Sequence, residues 1–88
     1  MKTKKIVKLL NDDGITVERH EDNPDWYQVS WRSDDWRKHW LRSIWTIPHV
    51  MTYTYKGEFV SVYHKSELAE ISERVKRINL KANERYAA

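Results

Sequence analysis

The chain has no cysteine, two glycines and two prolines among its 88 residues, and each scarcity removes a class of explanation. Without cysteine there is neither a disulfide nor a thiolate zinc site, so a domain this small must be held by its own core. The same lack is compatible with a reducing cytoplasm, where the chain is expected to reside. Gly14 and Gly57 stand alone, which excludes the GxxxxGK[ST] phosphate loop and the glycine-flanked serine nucleophile. Long apolar runs are missing too. The longest uncharged stretch, between Arg42 and Lys56, is broken by Pro48 and rich in threonine, and it falls short of the ~20 apolar residues of a membrane span. Lys2, Lys4, Lys5 and Lys8 resemble the basic start of a signal peptide, but the apolar run after them, Leu9-Leu10, stops at Asn11-Asp12-Asp13. A single soluble domain over residues 1–88, with no membrane partner, is therefore expected.

Aromatic residues are what the chain has in place of cross-links. It carries five tryptophans, five tyrosines and one phenylalanine, and every tryptophan lies between Trp26 and Trp45. Each large ring buries ~150–250 Å², enough for a few of them to anchor a short chain. The net charge is +3 but uneven: residues 1–10 are basic, 11–25 acidic, and 26–65 basic again. Such blocks are solvated faces by default and polyanion-binding faces in the sharper reading.

Local patterns predict an α+β fold in the order helix, hairpin, helix, hairpin, helix, with a mainly antiparallel four-stranded sheet packed against the C-terminal helix. Thr3 is placed to cap a helix over residues 4–13, ended by Gly14. Ile15 and Val17 alternate with polar residues, the Asp22-Asn23-Pro24-Asp25 turn follows, and Trp26 to Arg32 continues as a second strand with Tyr27, Val29 and Trp31 on its core face. Ser33-Asp34-Asp35 starts a helix whose apolar half holds Trp36, Trp40, Leu41, Ile44 and Trp45; Arg37 projects into that half as a misfit. A hairpin about Lys56-Gly57 pairs Tyr55 with Glu58, so that Met51 faces Val62 and Tyr53 faces Val60 on what reads as the inward surface. The alternative three-residue turn opposes Tyr53 to Phe59. Ser66 caps the last helix, whose narrow stripe is Leu68, Ile71, Val75, Ile78, Ala82 and Tyr86, with Glu70/Arg74 and Glu73/Arg77 outside.

The opening KIVKLLNDDGITVER resembles the first helix and strand of HicA-type messenger-RNA interferase toxins over residues 4–20. That family's glycine-serine-histidine turn and catalytic histidine would follow, where this chain has EDNPDWYQV, so no catalytic residue is carried over.

Chemistry-bearing clusters are sparse. His49 and His64 oppose each other in the second hairpin, but no third ligand is tied to them by spacing, and no metal or cofactor is expected. Asp34 and Asp35 serve the helix start, Asp22 and Asp25 the turn, and Asp12 and Asp13 the first helix end; no acid is left for catalysis, and the chain is expected not to be an enzyme. Cations interleaved with indoles are the stronger signal. Arg32, Arg37, Lys38 and Arg42 alternate with Trp31, Trp36 and Trp40, phosphate contacts beside planar groups on which bases stack. The expected interface is Arg37, Lys38 and Arg42, with Arg32, Trp26, Lys5 and Lys8 in support. Its expected partner is nucleic acid or an acidic protein surface, bound by a monomer or homodimer. The runner-up is a protein-binding inhibitor or adaptor that uses the Trp-rich helix as a hot spot. The short aromatic chain resembles small accessory proteins of phages and mobile elements.

Overall fold

In the computed structural model the chain runs α1 (Thr3–Asp12), β1 (Thr16–Arg19), β2 (Trp26–Arg32), α2 (Lys38–Leu41), a 3₁₀ turn (Arg42–Thr46), β3 (Thr52–Tyr55), β4 (Glu58–His64), a second 3₁₀ turn (Lys65–Glu67) and α3 (Leu68–Ala87). It describes residues 2–87, and side chains as far as Glu84; the Tyr86 side chain of the expected stripe lies outside them. The strands form one antiparallel sheet in the order β1-β2-β4-β3. The result is a small α+β domain with a C-terminal helix.

Helix α1 buries Ile6 and Leu10, one turn apart on the same face. It ends in a Schellman motif: Gly14 adopts φ +81°, its N–H donates to the Asn11 carbonyl, and the Ile15 N–H reaches the Leu10 carbonyl at 2.9 Å. A left-handed residue satisfies the last carbonyls in this way. At the other end Thr3 lies inside the helix, and Lys2 occupies the cap position without a side-chain bond.

Strands β1 and β2 pair Val17 with Val29, and β2 pairs with β4 along its whole length, from Trp26–His64 to Arg32–Glu58. Residues directly opposite share a face. Val29 and Trp31 face the helices, so Ser61 and Phe59 opposite them do too, together with Tyr63. This overturns one expectation. The second hairpin has the expected pairs, Tyr53–Val60 and Tyr55–Glu58, but Tyr53, Val60 and Val62 lie on the face away from the helices. The physical reason is that β4 takes its parity from β2, not from the apolarity of its own hairpin. The Tyr63 hydroxyl, buried on the helix side, donates to the Ile44 carbonyl at 2.8 Å.

The middle helix is shorter than expected. Leu41, Ile44 and Ile47 are all buried at a spacing of three, the repeat of a 3₁₀ segment and not of an α-helix. Trp36 is 49 % exposed, and Trp40 and Trp45 are half-buried against the core. Trp31 is the tryptophan that is fully enclosed. On α3, Leu68, Ile71, Val75, Ile78 and Ala82 are buried, as their stripe predicts. The 3₁₀ turn that leads into it is capped by His64, not by the expected Ser66: His64 Nδ1 accepts from the Ser66 N–H. Arg74 binds Glu70 and also the Ser43 carbonyl at 2.7 Å, tying α3 to the 3₁₀ turn. Among the described residues no helix is long and apolar enough to cross a membrane.

Candidate nucleic-acid interface

Lys38 and Arg42 stand one turn apart where α2 runs into the 3₁₀ turn, so both project to one side. With Ser33, His39, Trp45 and Phe59 they line a surface cleft of about 270 Å³. Phe59 arrives from β4, the cations from α2, and the cleft exists because the 3₁₀ turn packs over that strand. Trp45 forms its aromatic wall. The indole is stacked on Trp31, with centroids 5.6 Å apart, and meets Phe59 edge-on at 5.5 Å. The Arg42 guanidinium lies 5.9 Å from the Trp45 ring centroid, the outer edge of a cation–π contact. Among the described residues the ion pairs are Lys8–Asp12, Arg32–Asp34, Arg37–Asp35, Lys65–Asp25 and Arg74–Glu70; Lys38 and Arg42 take part in none.

The other expected binding residues are dispersed. Arg37 is 6 % exposed and each guanidinium nitrogen has a partner, Asp35 for Nε and Nη2 and Asn79 for Nη1 at 2.7 Å. The misfit in the apolar half is thus an internal strut, and its charge is not presented to a partner. Burial acts to raise the Asp35 pKa, but hydrogen bonds from the Arg37 side chain and backbone and its positive charge outweigh that and hold the carboxyl below its ordinary value. Arg32 lies at the end of β2 in a different hollow, beside Lys56 and Glu58. Asp34 takes two hydrogen bonds from it, at 2.9 and 3.2 Å; they raise the guanidinium pKa and lower that of the carboxyl.

Trp26 is on the opposite face of the sheet from the helices. It meets His64 edge-on at 5.2 Å and lines an apolar hollow with Val50 and Val62. Lys5 and Lys8 are exposed on α1, and Lys8 is paired with Asp12. His49 and His64 have separate neighbours, Tyr63 for the first and Trp26 for the second. No group of three or more His, Asp or Glu that could hold a metal occurs among the described residues.

Sequence reasoning missed two parts of the cleft. Trp45 reads as core from its position on the helical wheel, yet one edge of it remains at the surface; Phe59 reads as an ordinary strand residue. The only local signal for either is that Lys38, His39 and Arg42 leave the apolar half of the segment adjacent to an indole. Compared with known proteins, the chain matches no family model, no curated protein and no solved structure.

Proposed function

We propose that this domain is a non-enzymatic, cytoplasmic module that binds single-stranded nucleic acid through the cleft between α2 and β4. The observation that carries the reading is the pair of cations that take part in none of the ion pairs among the described residues, Lys38 and Arg42, at the mouth of a cleft walled by Trp45 and Phe59. Two phosphates contact the cations, and the exposed edge of the aromatic wall takes a base or sugar. Fluorescence anisotropy with a labelled oligonucleotide over a salt series tests this. Affinity should fall steeply with salt, by ~0.7 in log K per log salt for each single-strand phosphate contacted. The double variant Lys38→Glu/Arg42→Glu should abolish binding with its circular dichroism unchanged. Salt-independent binding, or a double variant that binds normally, would remove the cleft from consideration.

A second reading is a protein-binding inhibitor or adaptor of the phage or mobile-element type. Its support comes from another surface than the Trp-rich helix, since Val50, Met51, Tyr53 and Tyr55 are all exposed along one side of the second hairpin. Affinity capture followed by nuclease treatment separates the two: a protein retained after digestion favours the second reading.

A further inference from the structure

The two edges of the sheet are unlike each other. Strand β1, Thr16-Val17-Glu18-Arg19, carries two charges in four residues, whereas β3, Thr52-Tyr53-Thr54-Tyr55, carries none. Natural edge strands are blunted by charge, proline or a bulge to prevent pairing with another chain. All four residues of β3 are exposed.

The hairpin geometry says which backbone groups face outward. Lys56 and Gly57 both have positive φ, 49° and 78°, which is the two-residue turn whose flanking pair, Tyr55–Glu58, exchanges both backbone hydrogen bonds. Bonded and non-bonded pairs alternate along an antiparallel ladder. Tyr53–Val60 is then bonded. The regular ladder ends at Thr52, where a bulge begins: the Val62 N–H reaches the Met51 carbonyl at 3.1 Å, and the Val50 N–H, not that of Met51, reaches the Val62 carbonyl at 2.9 Å. The residues on either side of Tyr53, Thr52 and Thr54, therefore direct their N–H and C=O groups to the free edge.

We infer that β3 pairs antiparallel with β3 of a second copy of this chain, about a two-fold axis at Tyr53, joining two sheets into one of eight strands. The strand is self-complementary in this register. Thr52 opposes Thr54 of the copy and Thr54 opposes Thr52, forming two bonded pairs from the two residues that have groups to offer. Tyr53 opposes its own counterpart, so aromatic meets aromatic on the open face. None of the four residues of β3 is charged, so no like charges meet between the paired strands. A shift of one residue would oppose tyrosine to threonine and turn the two helical layers to opposite sides.

The edge is short, at the small end of stable interfaces, so the dimer forms in a concentration-dependent way. This inference does not depend on the proposed nucleic-acid reading. If both hold, the two Phe59-bearing strands lie about 14 Å apart, three strand spacings, and the two cationic clefts share one side of the joined sheet.

Sedimentation velocity and cysteine cross-linking test the pairing. The wild-type protein should shift from monomer to dimer as concentration rises, and Tyr53→Lys, which sets two ammonium groups across the axis, should remain monomeric with unchanged circular dichroism. Because the chain has no cysteine, single-cysteine variants report the register without background. Cα atoms of a non-bonded antiparallel pair are ~4.5 Å apart, within disulfide range. Under mild oxidation Tyr53→Cys should cross-link at least tenfold faster than Tyr55→Cys. Equal rates, a wild-type protein monomeric at millimolar concentration, or a dimer that Tyr53→Lys leaves intact would each overturn the inference.

Discussion

Arg37 and Asn79 are 42 positions apart in the chain, and the guanidinium Nη1 donates to the amide oxygen at 2.7 Å. Through this bond the segment before α2 is fixed to the far half of α3. The same guanidinium closes on Asp35, which also accepts the Arg37 backbone N–H at 2.8 Å, and its Nη2 sits 3.2 Å from where a Cβ on Gly14 would be. Three segments meet around one buried charge.

Replacing Asp35 should therefore be costly. The pair is buried, with side-chain exposures of 8 % and 13 %, and removing one partner strands the other, at ~3–5 kcal/mol. Asp35→Ala should show this as a lowered urea midpoint. The acid limb gives an independent check. Because the folded Asp35 pKa lies below its ordinary 3.8, its contribution is fully present above pH 3.8 and is lost as pH falls through the folded value. In Asp35→Asn that part of the pH dependence should disappear.

Tyr63 governs the alkaline limb. Burial pushes its phenol from 10.0 up to about 12, so between those values the unfolded chain binds fewer protons than the folded one and stability falls as pH rises. Tyr63→Phe should flatten the decline over that window. At neutral pH the same variant should lose about 1 kcal/mol, since the buried Ile44 carbonyl loses its donor. Chemical denaturation from pH 7 to 12 measures both effects.

The tryptophans should not be equivalent. Trp31 is fully enclosed, and Trp31→Ala should cost ~3–5 kcal/mol, enough to unfold a domain of marginal stability. Trp40 is only half-buried, so Trp40→Ala should cost clearly less and leave a cooperative transition. Equal losses from thermal unfolding of the two variants would contradict this ordering.

Lys56 holds φ 49°, a left-handed conformation that costs a side chain with a Cβ about 1–2 kcal/mol. Asparagine tolerates it and favours this turn, so Lys56→Asn should stabilise the protein by about 0.5 kcal/mol or more. Gly57→Ala, at φ 78°, should do the reverse. Differential scanning calorimetry resolves both signs.

What could be read from the sequence was what local spacing determines. The alternation through Val17, Val29 and Trp31, the stripe on α3 and the Tyr55–Glu58 register each follow from neighbours within a few residues. What could not be read was set at a distance. The face presented by Tyr53 and Val60 depends on β4 pairing with β2, and the fate of Arg37 depends on an amide two elements away. The site divides in the same way: Lys38 and Arg42 are legible from their spacing, but Phe59 joins them only through the sheet.

The strand order β1-β2-β4-β3 has a kinetic consequence. Each hairpin can zip from its own turn in microseconds, but neither completes the sheet, because the central seam joins β2 to β4 across the whole segment from Ser33 to Gly57. Closing that loop is an entropic cost met before the seam gives any return. The rate-limiting event of folding should thus be the docking of two preformed ribbons, slow relative to either. Substitutions at Val29 or Ser61, on the seam, should slow refolding, and so should those in β3, whose ribbon is already formed when docking limits the rate.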